Sequence, residues 1–444
     1  MKSFIIVGGG ASGVIMAAQL LRRGGRVVLF ELTGQIGAGI AYSTENPNHL
    51  LNVRAGNMSA FPDDPDHFFN WLQACGLPPR EGGWEKQSFV PRRLYRNYLE
   101  SLLQSYLDAG DRRLVIHQDE IVDTMLEAGK PIVVTESGKR FSADVVIFAT
   151  GNEPSVTSSG SQVSEYWTSN GMFDIAPDQT VAIFGTGLSM VDSVLSLLDR
   201  GHQVPIHAIS RRGLLPARHT VVVPAVIEAD ELSFGAPLSR LMQTVRVMIR
   251  KTTKQGGDWR SIIDGLRPHS QKLWHHLSLA DKQRFLRHLR PWWDVHRHRM
   301  APEVADRIDK ARQTGQLIIR SGYLQSVSQM DTDMLIRYRN RYGNDVTELR
   351  VSTIIDCRGG NLCFSVTRNR ALLSLLERGL ARPDQTDLGF DVTPELKIVN
   401  AMGEAANPLY AIGPLTKGVY WEVTAIPDIR VQAEKLANAL CATD

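Results

Sequence analysis

The chain has 444 residues, of which 43% are hydrophobic and 22% charged, and a formal net charge of +3. That length allows two or three domains with sizeable cores. The net charge is too small to imply nucleic acid by itself, and the four cysteines (Cys75, Cys357, Cys363, Cys441) show no disulfide framework and no C-x-x-C pair, which removes the dithiol chemistry of disulfide reductases and fits a reducing cytoplasm.

The first elements lie in FIIVGGGASGVIMAAQLLRRGGRVVLFE, Phe4 to Glu31. Phe4 to Leu21 is apolar apart from Ser12 and Gln19, as in a membrane anchor or a signal peptide. Glycine spacing decides against both. Gly8, Gly10 and Gly13 form G-x-G-x-x-G directly after Phe4–Val7, a run that predicts a buried parallel strand. Val14, Ala17, Ala18 and Leu21 then fall at helical spacing, Gly24-Gly25 stops the helix, and Val27–Phe30 predicts a second strand ending in Glu31. This is a βαβ unit for a dinucleotide. Gly8 allows the tight turn, Gly10 the close approach of a pyrophosphate, and Gly13 the packing of helix on strand. The helix N-terminus offers free N–H groups to the anion. Glu31 can accept from a ribose 2′-hydroxyl and would repel a 2′-phosphate, so this site suits FAD or NAD.

Leu114 to Val134 is β-rich and leads into SADVVIFATGNEP (Ser142–Pro154), a buried strand followed by Ala149-Thr150-Gly151. A second nucleotide unit follows at Thr180–Gly213. Val181–Phe184 predicts its strand, and Gly185, Gly187 and Met190 take the three glycine positions. Met190 departs from the pattern, so helix and strand should pack less closely there. The helix is expected over Leu188–Asp199. The next strand, Ile206–Ile209, ends in Ser210-Arg211-Arg212, where the first unit has Glu31. Hydroxyl and guanidinium groups at this place suit the 2′-phosphate of NADPH; the alternative is a solvated basic strand end.

A tryptophan-rich helical block is expected over Ile227–Gln313, with Ile262, Ile263 and Leu266 as its core. His288, His296 and His298 lie among arginines that would repel a cation, so no metal is expected. Leu317–Tyr338 and STIIDCRGGN (Ser352–Asn361) repeat the pattern of a β-rich stretch and a return strand. Near the end, Leu409–Ile412 predicts a strand, Gly413-Pro414 a turn, and Ala425-Ile426-Pro427 the start of a helix whose N-terminus could face a flavin.

The fold class expected is α/β, with two Rossmann-like dinucleotide-binding domains of the glutathione-reductase type and a helical insertion. The expected domains are 1–160 (FAD, first part), 161–226 (NADP), 227–313 (insertion) and 314–444 (return to both domains).

The sequence resembles the FAD/NAD(P)-binding protein family related to flavin-dependent N-monooxygenases, notably the nitrosuccinate synthases that oxidise the amine of aspartate. The first glycine loop, GIAYSTENPNHLLNVRAGNMSAFPDDPDHFFNWL (Gly39–Leu72), GTGLSMVD (Gly185–Asp192), RPWWDVHRHR (Arg290–Arg299) and YAIGPLTKGVYWEVTAIPDIR (Tyr410–Arg430) carry the resemblance. It implies that Gly8, Gly10, Ser12, Gly13 and Glu31 hold FAD, that Gly151 and Gly413 approach it, and that Asn52, Val53 and Met58 lie near the ring, with Ala425 and Ile426 at the flavin-facing helix. Gly185, Gly187, Leu188, Ser189, Arg211 and Arg212 would hold NADPH, with Ser210 beside them. Lys417, Arg297, Arg299 and Asn52 are candidates to act on the substrate; the alternatives are a solvated lysine on a loop and arginines paired with acids such as Asp294.

Three functions compete. The first is an NADPH-dependent FAD monooxygenase that oxygenates the nitrogen of a small amine or amino acid with O2, through a flavin hydroperoxide. The second is an NADPH:acceptor oxidoreductase, and the third a flavin- or nucleotide-binding sensor without turnover. Two redox-cofactor sites favour the first two. A small-molecule substrate is expected, with no nucleic acid and no membrane.

Overall fold

The computed structural model describes residues 1–76, 83–108, 110, 112–153, 163–165, 175–359 and 363–442. The chain opens with β1 (Ser3–Val7), α1 (Ala11–Arg22) and β2 (Arg26–Glu31), then α2 (His67–Ala74) and α3 (Arg92–Asp108). Strands β3 (Leu114–Gln118), β4 (Ile121–Glu127), β5 (Lys130–Thr135), β6 (Arg140–Ser142) and β7 (Val145–Phe148) follow. The second unit is β8 (Val163–Glu165), β9 (Val181–Phe184), α4 (Leu188–Asp199) and β10 (Ile206–Ser210). Next come helices α5 (Leu238–Lys254), α6 (Trp259–Gly265), α7 (Ser270–His276), α8 (Leu279–Arg284), α9 (Arg290–Arg297) and α10 (Pro302–Gln313). The chain closes with β11 (Leu317–Met330), β12 (Asp333–Asn340), β13 (Val346–Val351), β14 (Thr353–Asp356), α11 (Arg370–Glu377), β15 (Lys397–Val399), β16 (Ala405–Ala411) and α12 (Ile426–Cys441).

Two sheets carry the architecture. The first has the order β15-β16-β7-β1-β2-β3, parallel except for β15. The second has the order β13-β12-β11-β10-β9-β14-β8. Its parallel part repeats the first, with β9, β10, β11 and β14 in the places of β1, β2, β3 and β7. The central strands are apolar on both faces, and Phe4–Ile6, Val146–Phe148 and Val181–Ile183 have no exposure. Such strands need helices on both sides, which is why the sheets are parallel. The two β-rich stretches differ in one respect. In the first half, β4-β5-β6 is a separate antiparallel sheet, whereas β11 pairs with β10 over Leu317–Ser321 and with β12 over Gly322–Met330, the latter pairing shifting register between Leu324 and Ser326.

The helical block interrupts the connection from β10 to β11. A parallel pair needs a helical crossover, and α10 supplies it. Val304, Ala305, Ile308 and Ala311 of α10 belong to the core of the second sheet. The insertion expected to run through Gln313 therefore yields its last helix to the second nucleotide domain. After β14 the chain returns to the first domain, where β16 pairs with β7 and α12 packs on α1. The expected boundary at residues 160–161 lies outside the described residues. No helix among the described residues is long and apolar enough to cross a membrane.

Candidate functional site

The first glycine loop is fixed by backbone contacts. Gly8 has φ +105°, and a Cβ there would lie 2.7 Å from the carbonyl oxygen of Ala149 at the end of β7. A Cβ on Gly13 would lie 1.9 Å from the oxygen of Gly8, so α1 sits directly on the loop. Gly10 is the N-cap of α1, and no side chain caps that end. The free N–H groups of the first turn therefore face outward for an anion. Glu31 closes the loop: its carboxylate accepts from the N–H of Gly9 at 2.8 Å and from the N–H and hydroxyl of Thr33 at 2.9 and 2.8 Å. The Thr150 hydroxyl, just past β7, is buried without a partner, an orphan that a bound nucleotide would satisfy. Gly413 reaches this loop from the other end of the chain, since a Cβ on it would fall 2.4 Å from Ser12 Oγ. Gly151 has φ +75° and open space beside it.

The second loop repeats the first. Gly185 has φ +104°, and its Cβ would lie 2.5 Å from the oxygen of Cys357 after β14. Gly187 caps α4 without a side-chain cap and faces open space, leaving the Leu188-Ser189 turn accessible to an anion. Met190 stands where the first helix has Gly13 and is fully buried among apolar side chains. Its Cβ forbids the approach that Gly13 makes.

The basic strand end is only partly as expected. Thr186 donates its proton to the carbonyl of Leu214 at 2.6 Å, so the Ser210 hydroxyl must donate to Thr186 Oγ1 at 2.9 Å while accepting from the N–H of Gly213. Ser210 has no proton left for a phosphate; it holds the turn. Arg212 donates to the carbonyl of His288 in the helical block at 3.1 Å, and the Arg211 side chain is exposed. Arg341 joins them by donating to the backbone oxygen of Arg211 at 3.0 Å. It lies far away in sequence, and no spacing signalled it.

The candidate substrate residues separate by environment. Arg299 is 1% exposed, grips Asp264 with two hydrogen bonds of 3.0 and 2.7 Å, and donates to the carbonyl of His296. With its fork committed it is a structural ion pair, not an anchor. Arg297 donates to Glu422 at 3.1 Å. Both arginines thus pair with acids other than Asp294, which goes to Arg290 at 3.4 Å. Lys417 is packed over the ring of Trp421 at 5.5 Å, not solvated. Burial first, then the neighbouring Arg290, pushes its ammonium down to about 8. Glu422 lies among these groups, 4% exposed and at φ +70°.

Asn52 gives its carbonyl to His219 Nε2 at 3.0 Å, and burial pushes His219 down to about 4. Val53 is half-buried on the first core. Met58 is 2% exposed and Ile426 3%, so both are enclosed by protein atoms rather than facing an open cofactor site. Ala425 is the uncapped start of α12, whose first turn holds Asp428, paired with Arg267 at 3.4 Å.

His49 was missed from sequence. It is fully buried, bonds Thr44 at 2.8 Å, and reaches the carbonyl of Asp192 and the hydroxyl of Ser196 on α4 at 2.9 and 3.0 Å. With the Arg92–Asp192 pair at 2.8 Å, it ties the first domain to the second nucleotide helix. Among the described residues no group of three or more histidine, cysteine or acidic side chains could hold a metal ion.

Residues 5–153 match a family model described as FAD-NAD(P)-binding. None of the curated proteins matches the chain in sequence. Among solved structures it is similar to an ornithine N-hydroxylase from Kutzneria sp. 744 (13% identity, 99% of each chain, TM-score 0.67) and to L-lysine 6-monooxygenase from Pseudomonas syringae (14%, 99% of each, 0.67). It is also similar to thioredoxin reductase from Lactococcus lactis (12%, 99% of each, 0.54). The shared fold is that of two-domain FAD- and NAD(P)-binding flavoproteins.

Proposed function

We propose that the chain is an NADPH-dependent FAD monooxygenase that oxygenates the nitrogen of a small amine or amino acid. The observation that carries this is the pair of glycine loops, each delivering an uncapped helix N-terminus to the end of its own parallel sheet. Two such cradles suit two dinucleotides. The likeness to ornithine and lysine N-hydroxylases supports the amine. The likeness to a disulfide reductase does not carry its chemistry here, because the sequence has no C-x-x-C pair.

Gly8, Gly10 and the first turn of α1 would bind the diphosphate of FAD, and Glu31, already holding the loop, would orient the ribose. Gly187 and the first turn of α4 would bind NADPH, with Arg211, Arg212 and Arg341 at its 2′-phosphate. When bound, FAD supplies the redox chemistry that links NADPH to O2. In balance, an amine RNH2, O2, NADPH and a proton give RNHOH, water and NADP+. The chain's part is orientation and exclusion of water. The Gly413–Ala425 loop touches the first glycine loop at Ser12 and carries Lys417, whose ammonium can pair with a substrate carboxylate. An acceptor oxidoreductase is the second reading.

The test supplies purified protein with FAD, NADPH and oxygen, and follows a panel of amines for N-oxygenated product. Product formed in step with NADPH consumption is expected. NADPH-dependent bleaching of the flavin with no oxygenated product from any amine would favour the acceptor reading.

A further inference from the structure

The helical block borders a half-open cavity of about 450 Å3 that the two nucleotide loops do not touch. Its walls come from α5, α6, α7, the start of α9 and the Gly413–Ala425 loop. Five tryptophans line it: Trp259, Trp274, Trp292, Trp293 and Trp421. Among the described residues, Arg246, Thr253, Ser270 and His296 are its polar lining residues besides the indoles.

Three features show that this is a formed chamber and not a loose gap. Trp274 and Trp421 stack at 4.7 Å between centroids, and Phe285 meets Trp421 edge-on at 5.3 Å, so the deep wall is a fixed aromatic cluster. Phe285 and Leu289, at the two ends of a π-helical turn between α8 and α9, both line the cavity. Such turns are uncommon and concentrate at functional sites. Finally, α5 turns Leu241, Met242, Val245 and Ile249 toward the chamber, yet all four stay only half-buried. An apolar face of this kind lacks an occupant.

The charges around the chamber select that occupant. Arg260 and Arg299 lie over Trp259, Lys282 over Trp274, and Lys417 over Trp421. Cations already sit against three of the five indoles. With cations already over those rings, an ammonium placed inside would gain little from them. A neutral hydrocarbon or aryl group gains from burial alone. The volume falls within the roughly 300–1,000 Å3 of ordinary ligand pockets. Trp421 also joins the chamber to the first glycine loop, since its own loop runs from Gly413, against Ser12, to the start of α12.

We infer that this chamber binds the apolar body of the substrate, and that the substrate is an amine bearing an alkyl or aryl group rather than a small, fully polar amino acid. The inference rests on the monooxygenase reading for the fate of the nitrogen, but not for binding itself. It commits to a small molecule; a second copy of the chain seated on α5 is the competing occupant.

The experiment measures binding of butylamine, octylamine, 2-phenylethylamine and ornithine to the FAD-loaded protein by calorimetry, and product formation with NADPH and oxygen. Affinity is expected to rise about fourfold per methylene, so on the order of a hundredfold from butylamine to octylamine. Val245→Arg should abolish that gain while FAD content and NADPH-dependent flavin bleaching stay unchanged. Val247→Arg, on the exposed side of α5, should change nothing. Should Val245→Arg not fold, Ile249→Phe narrows the same wall without a charge. Octylamine bound in the chamber, with no oxygenated product from any of the four amines, leaves the binding inference standing and sinks the monooxygenase reading. Ornithine oxygenated, with no dependence of affinity on chain length and no effect of Val245→Arg, overturns the inference and leaves that reading intact. A Val245→Arg variant that alters only the oligomeric state also overturns it.

Discussion

Glu422 accepts the indole N–H of Trp293 at 2.5 Å, from a backbone held at φ +70°. A non-glycine residue in that region costs about 1–3 kcal/mol and persists only when its surroundings over-determine it. Here they do, because the second carboxylate oxygen takes Arg297 and both side chains are largely buried. Glu422→Gln keeps an acceptor for Trp293 but leaves Arg297 uncompensated. A loss of about 3 kcal/mol is expected, read as a lower urea midpoint at unchanged slope.

Gly13→Ala should fail where Gly187→Ala folds. The first adds a Cβ 1.9 Å from a backbone oxygen and forces α1 off its strand, at a cost of at least about 3 kcal/mol. Flavin content after gel filtration should fall with it. The second adds a Cβ in open space at an ordinary negative φ, so melting temperature should hold. Its methyl nonetheless occupies the proposed diphosphate cradle, and KM for NADPH should rise about tenfold or more.

Arg211→Ala should raise KM for NADPH by on the order of tenfold and leave NADH nearly unchanged, since a charge-assisted pair is worth about 1.5–3 kcal/mol. Arg341→Ala should act in the same direction. Ser210→Ala should instead lower stability, because its hydroxyl joins Thr186 to the Gly213 turn. Steady-state kinetics with both nucleotides, beside a melting curve, separates the two classes of effect.

His219 predicts a loss of stability on the acid side. Its pKa is held at about 4 in the folded chain against 6.5 unfolded. Between those values the unfolded chain binds a proton that the folded chain refuses. The stabilisation is complete above pH 6.5 and is lost as the pH falls toward 4, by at most about 3 kcal/mol. His49 and His298, also pushed down by burial, act the same way. His219→Gln, which can still donate to the Asn52 carbonyl, should flatten part of the fall in urea midpoint between pH 7 and pH 5.

Lys417 titrates near pH 8, inside the working range of an enzyme. If it pairs with a substrate carboxylate, kcat/KM should decline above that pH as the ammonium is lost, and Lys417→Met should abolish the limb. Arg299→Ala should show a different signature: about 3–5 kcal/mol of lost stability from the unpaired Asp264, with normal KM in whatever fraction folds.

The sequence by itself determined what depends on neighbours along the chain. A glycine three residues into a helix that must touch its strand, as at Gly13, or a turn that only positive φ can make, as at Gly8 and Gly185, is written in local spacing. So both nucleotide units, the span Leu188–Asp199 of α4 and the proline-marked start of α12 were legible. Local spacing could not say which partner a charge would find. Arg299 reads as an available cation until the fold brings Asp264 to it across 35 residues, and Ser210 reads as a phosphate ligand until Thr186 and Gly213 take its hydroxyl. Ile262, Ile263 and Leu266 gave the block a helical pattern, but only packing gathered its tryptophans around one cavity, with cations over the rings of Trp259 and Trp274. Burial and pairing are set by contacts between distant segments, and those contacts exist only once the chain has folded.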